Sequence, residues 1–175
     1  MVQSVEVVLD AGLDAAIREE WTILLEADLP SQARHRGPSN APHITLGIAE
    51  IIDAGPERGL SEIDYATGTT LRLGGLLVFH GRQSVLSRVV VPSAPLLRMH
   101  HEVHAAVADM PGCRGSSAPD RWTPHVTLAR RLDTAQLSAA LALLADRPRE
   151  LVGTIGGARR WDGDARMTWD LGRTA

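Results

Sequence analysis

The sequence predicts an α+β fold built from two similar halves. β-rich runs alternate with segments of helical spacing, and no glycine-rich phosphate loop follows a strand. The pentapeptide Pro42-His43-Ile44-Thr45-Leu46 also returns as Pro124-His125-Val126-Thr127-Leu128, about half of the 175-residue chain later.

Val5-Glu6-Val7-Val8-Leu9 reads as a first strand. Over residues 13–29, Ile17, Trp21, Leu24 and Leu25 recur at helical spacing, and Pro30 ends the run. Gly37, Pro38 and Asn40 deny regular structure to the polar loop 31–40, which leads into a strand at 42–48. A short helix is expected over 57–65. Residues 69–80 and 84–91 read as a hairpin around Gly81-Arg82-Gln83. Pro95 suits the first position of a helix reaching to 109, with Leu96, Leu97, Val103 and Val107 inward. A second loop, 111–124, precedes a strand at 125–130. Asp133 or Thr134 then caps a helix running through Leu137, Leu141 and Leu144. Two closing strands, 151–161 and 166–171, turn at Asp162-Gly163-Asp164.

The length suits one domain, 1–175, of two lobes. Hydrophobic content of 44% and charged content of 22% are those of a soluble protein, and every apolar run is shorter than a membrane span. No membrane association is expected. The first residues lack a signal peptide's basic start, so a cytoplasmic monomer is expected. Cys113 is the only cysteine, which excludes an internal disulfide and a cysteine zinc site. A net charge of −3 argues against coating long nucleic acid and leaves a small phosphate-bearing ligand open. The absence of lysine reads as compositional bias.

The repeated pentapeptide carries the chemistry. Residues two apart on a strand share a face, so His43 and Thr45, like His125 and Thr127, point one way while Ile44, Leu46, Val126 and Leu128 point into the core. Two histidines near their ordinary pKa of about 6.5 can hold opposite protonation states at neutral pH. One then serves as base to the attacking oxygen of a phosphodiester cleavage and the other as acid to the leaving oxygen. Threonine hydroxyls beside them are donors for the non-bridging oxygens. Arg130 adds positive charge, but three residues beyond Thr127 it needs a strand end or twist to reach that face. His100 and His104 lie four apart on a helix without a third ligand and read as a solvated face. Arg34, His35 and Arg36 lie in the loop before the first motif, where solvation is as good a reading as phosphate contact. Asp162, Asp164 and Asp170 read as turn chemistry. No metal and no cofactor is expected.

With two His-x-Thr motifs, and with Trp122-Thr123-Pro124-His125-Val126-Thr127-Leu128-Ala129-Arg130 carrying a trailing arginine, the sequence resembles the 2H phosphoesterase superfamily, which includes RNA 2′,5′-ligase-like proteins and 2′,3′-cyclic phosphodiesterases. Residues 71–79, 85–86 and 96–100 look like that family's central strand, hairpin and helix. The resemblance implies two pseudo-symmetric lobes, each an antiparallel sheet backed by helices, with both motifs in the groove between. It makes His43 and His125 the catalytic pair and Thr45, Thr127 and Arg130 the phosphate contacts. Phe79 and Trp122 flank the expected groove and are candidates for base stacking or for the core. The resemblance also implies hydrolysis of a cyclic phosphodiester, foremost a 2′,3′-cyclic phosphate on a nucleotide or RNA end. Hydrolysis of 2′,5′-linked or cyclic oligonucleotides, RNA 2′,5′-ligation, and a non-catalytic module holding RNA ends or nucleotides are the rival readings. Which histidine is acid stays open.

Overall fold

The computed structural model describes residues 2–113 and 115–172, without the side chains of 54–57. Met1, ahead of the expected first strand, Arg114, in the expected second loop, and residues 173–175 lie outside the described residues. Within them the element order repeats. β1 (Gln3–Leu9), α1 (Ala11–Glu26), β2 (His43–Ala49), α2 (Ala54–Glu62) and β3 (Thr70–Phe79) form one series. β4 (Ser84–Val90), α3 (Ala94–Val107), β5 (His125–Leu132), α4 (Thr134–Leu143) and β6 (Leu151–Asp162) repeat it, and β7 (Met167–Leu171) is appended. In each series the His-x-Thr sequence begins the second strand. The α+β class and the internal duplication are those expected.

All seven strands form one antiparallel sheet in the order β1-β2-β5-β4-β3-β6-β7, and β1 also pairs with β6. The first six strands therefore close on themselves. The two lobes are halves of this sheet, and long β6 serves both: residues 151–154 pair with β3, while 155–162 pair with β1. Between the lobes the motif strands meet at a single residue pair, Ile44 with Val126. The groove is thus floored by the two strands that carry the histidines.

Alternation explains the core. Ile44 and Leu46 of β2 and Val126 and Leu128 of β5 are fully buried, packed with Val5, Val7, Leu73 and Leu86 from neighbouring strands. α3 packs on β2, whereas α1 packs across β1, β5 and β6. Side chains start the helices: Asp10 accepts from the Leu13 amide at 2.9 Å, and Asp133 and Gln136 form a reciprocal capping box. Asp10 also accepts from the Thr154 hydroxyl at 2.9 Å and from its amide, tying the start of α1 to β6.

Three readings of the helices need correction. Leu97 is exposed, because the inward stripe of α3 is Leu96, Met99, His100, Val103 and Val107. α1 stops at Glu26, before Pro30, with Asp28 in the left-handed region at φ 56°. The second helix starts and ends three residues earlier than expected, and its end at Glu62 leaves Tyr65 outside it, buried and donating its hydroxyl to the Leu60 carbonyl at 3.0 Å.

Candidate active site

The two motifs present their histidines in the same way. His43 Nδ1 lies 2.8 Å from the Ala41 carbonyl, and His125 Nδ1 lies 2.7 Å from the Thr123 carbonyl, in each case two residues back along the chain. A carbonyl only accepts, so Nδ1 carries the hydrogen in both rings and Nε2 is left to exchange protons. Thr45 is half-buried, and Thr127 is buried to 8% exposure.

The surroundings of the two rings differ in charge. The Oε1 of Glu6 stands 3.5 Å from His43 Nε2, so an imidazolium there has a counter-ion. His125 is held below the ordinary imidazole range, first by burial and then by the positive charge of Arg130 and by His43, with its bond to the Thr123 carbonyl pulling the other way. Phe79 meets the His125 ring edge to face, with centroids 4.6 Å apart.

Arg130 reaches this environment through an irregularity in β5. Leu86 pairs with Ala129 but Ser87 with Thr127, so β5 gains a residue relative to β4 at that point. A bulge shifts the alternation, and an offset of three residues then returns to the same face. A second offset follows between the Leu86 and Ser84 pairings, where Arg131 adopts φ 61°. Arg130 itself is exposed on the groove, sensed by His125 and by Glu6.

Behind the motifs lies a reciprocal pair of braces. Trp21 of α1 donates its indole N–H to the Thr127 carbonyl, and Trp122, just ahead of the second motif, donates to the Thr45 carbonyl, both at 3.0 Å. One face of Trp122 is covered by His100, stacked at 3.9 Å with planes 3° apart. This corrects the reading of His100 as solvated: it is 1% exposed, its Nε2 lies 2.8 Å from the Ser117 carbonyl, and burial lowers its pKa. Among the described residues no group of three His, Cys, Asp or Glu side chains is placed to hold a metal ion.

Sequence reasoning overlooked Glu6, Arg159 and Trp21. In the register of the sheet, Thr45, Glu6 and Arg159 are direct cross-strand neighbours on β2, β1 and β6. Buried Glu6 takes Arg159 at 2.9 Å and the Ser4 hydroxyl at 2.7 Å, and Arg159 extends to the Ser39 carbonyl at 2.9 Å. An acidic residue between Val5 and Val7 was the available signal. Trp21 looked like an ordinary core aromatic, and only its indole bond to the second motif sets it apart. Of the polar loop, Arg34 is committed to Asp28 at 2.8 Å, while His35 and Arg36 line a cavity of about 840 Å³ that begins at His43. Asp162 accepts the Asp164 and Ala165 amides, the turn chemistry expected. No described helix is long and apolar enough to cross a membrane.

The model of the 2′-5′ RNA ligase superfamily matches residues 14–165. Among curated proteins none matches the chain. Among solved structures, Escherichia coli LigT in its apo form is similar over 97% of this chain and 94% of its own, with TM-score 0.61 and 16% identity. TT0787 of Thermus thermophilus is similar over 98% and 95%, with TM-score 0.57 and 19% identity. Kluyveromyces marxianus Usb1 with uridine monophosphate is similar over 97% and 98%, with TM-score 0.56 and 14% identity. LigT is also known in complex with 3′-AMP, with NADP+ and with ATP.

Proposed function

The chain belongs to the 2′-5′ RNA ligase superfamily, and from that membership and the chemistry of the groove we propose that it is a metal-independent phosphodiesterase opening a 2′,3′-cyclic phosphate on a nucleotide or RNA end. The observation that carries the reading is the pair of histidines in matched settings but with opposite charges for neighbours. Each has its Nδ1 on a main-chain carbonyl, and Glu6 faces His43 whereas Arg130 faces His125. The nucleotides held by LigT and Usb1 support a ligand of this class.

His125, whose protonation is disfavoured, is the base. Its Nε2 takes a proton from a water as the water oxygen bonds to phosphorus. His43, with Glu6 as counter-ion, is the acid: its Nε2 gives a proton to the ribose oxygen as the P–O bond to that oxygen breaks. The product is a ribose phosphomonoester, and proton exchange with solvent resets both rings. The Thr45 and Thr127 hydroxyls donate to the non-bridging oxygens, and the trailing arginine adds charge where the pentacoordinate state is most anionic. Phe79 lies against His125, on the water side of phosphorus.

A panel of nucleoside 2′,3′-cyclic phosphates, 3′,5′-cyclic nucleotides and 2′,5′-linked dinucleotides, with products identified by mass, tests the proposal. Conversion of the 2′,3′-cyclic substrates to monophosphates is the expected result. Turnover confined to the 2′,5′-linked compounds moves the enzyme to the rival hydrolase reading. Tight binding with no turnover makes it a holding module.

A further inference from the structure

The groove accounts for one phosphate, but the molecule offers more room on one side of it. Of the four motif side chains only His43 lines the 840 Å³ cavity. That volume lies in the range of sites that enclose a whole small molecule and exceeds what a single phosphate needs. The loop before β2 forms one wall, and β6 with the turn after it forms the other. The charge within is unbalanced. Glu6, the one carboxylate among the described lining residues, is shared between Arg159 and His43. Arg36 and Arg166, one on each wall, make no hydrogen bond or ion pair with any described residue. Half-buried Trp161 of β6 completes the lining.

The direction of the reaction decides what enters. In an in-line displacement the leaving oxygen lies on the side of the acid, which the proposed function assigns to His43. That oxygen belongs to the ribose. The nucleoside, and whatever its 5′ oxygen carries, therefore lies on the cavity side. We propose, on the footing of that assignment, that this cavity is a second phosphate subsite. Arg36 and Arg166 fork onto a phosphate on the 5′ oxygen of the reacting nucleoside, and Trp161 offers an aromatic face to its base. The preferred substrate is then a cyclic end that carries a 5′ phosphate, as an oligonucleotide or a 5′-phosphorylated nucleotide does, in place of an isolated nucleoside cyclic phosphate.

Equilibrium binding by calorimetry tests this without relying on turnover. The ligands are adenosine 3′-phosphate, adenosine 3′,5′-bisphosphate and the dinucleotide ApA 3′-phosphate, each titrated into the wild type, the Arg36→Ala/Arg166→Ala variant and Arg98→Ala. The last removes one positive charge from α3, outside the cavity lining. The bisphosphate is expected to bind at least about tenfold tighter than the 3′-phosphate, the value of one charge-assisted hydrogen bond. That advantage should collapse in the double variant and persist in Arg98→Ala. An equal gain with the dinucleotide identifies the chain phosphodiester as the ligand, and a gain restricted to the bisphosphate identifies a terminal phosphate. Equal affinities in the wild type, or an advantage that survives the double variant, overturn the subsite. If the arginine-dependent advantage is found but no cyclic phosphate is opened, the catalytic reading fails and the subsite stands. If adenosine 2′,3′-cyclic phosphate is opened but a 5′ phosphate adds nothing to binding, the reverse holds.

Discussion

The Glu20–Arg88 pair should be among the most costly polar interactions to break. Glu20 of α1 is fully buried and Arg88 of β4 is 2% exposed. Arg88 Nε donates to both Glu20 oxygens at 3.1 and 3.0 Å, Nη2 also donates to Glu20, and Nη1 spans the Gly74 and Pro148 carbonyls at 3.0 and 2.9 Å. Glu20→Gln keeps the volume, so no cavity enters the comparison. It leaves a buried guanidinium without a counter-charge, with a second cation nearby, since Arg147 Nε lies 4.0 Å from Glu20. The expected loss is about 3–5 kcal/mol. At about 2–4 °C per kcal/mol for a chain of this size, the midpoint should fall by roughly 6–20 °C. A Glu20→Leu/Arg88→Met variant removes both charges and should recover part of this, short of the one or two bonds lost by the Gly74 and Pro148 carbonyls, about 1–3 kcal/mol each if unsatisfied. Urea and thermal unfolding followed by circular dichroism give both numbers. The pair lies directly behind the second motif, because Arg88 faces Val126 across the ladder, so turnover at 25 °C should be recorded too. A loss below about 1 kcal/mol in Glu20→Gln, or a double variant as costly as the two single changes added, would refute the reasoning.

Four further outcomes are expected. His43→Ala and His125→Ala should each fold and lose at least about a hundredfold in turnover, as for a missing general acid or base; near wild-type kcat in either ends the assignment. Thr45→Val and Thr127→Val keep the β-branched shape and should cost about 2–4 kcal/mol of transition-state stabilisation, read from kcat/KM; unaltered values in both make the threonines structural. Arg130→Gln removes a charge that disfavours the His125 imidazolium, so that ring should hold its proton to higher pH and the acid limb of the kcat/KM profile should move upward. A limb that stays put or moves down contradicts the placement of Arg130. Exhaustive EDTA treatment should leave kcat/KM unchanged, whereas loss of activity restored by Mn²⁺, Mg²⁺ or Zn²⁺ would make the histidines ligands.

The parts of the site legible in the sequence are those encoded locally. Alternation within His43-Ile44-Thr45 and His125-Val126-Thr127 is a property of five residues, and β2 keeps it in burial, with Ile44 buried between half-buried neighbours, whereas in β5 Thr127 is buried beside Val126. What escaped depends on register between distant strands. Glu6 enters the groove because β1 is flanked by β2 on one side and β6 on the other, a pairing that no local pattern states. Arg130 was legible as a residue but not as a position, since its face depends on where β5 bulges against β4. His100 misled because polar residues on a helix usually face water, and here a stacked indole and a carbonyl replace the solvent. Leu97 misled for the complementary reason, being an apolar residue off the inward stripe.

The closure of the sheet through β1 and β6 bears on how the protein is made. Gln3 bonds to Asp162 across 159 residues, and Arg159, Glu6's partner, belongs to the same late strand. On a ribosome releasing the chain in order, the first motif waits with its counter-ion unsupported until β6 emerges, although β1, α1 and β2 have long been free. Contacts this distant in sequence slow folding, because the loop entropy must be overcome before they form. A nascent chain that has exposed both histidines but not residues 155–162 should therefore carry every motif and no working groove, so catalytic competence arrives late in synthesis, with the strand that holds both lobes.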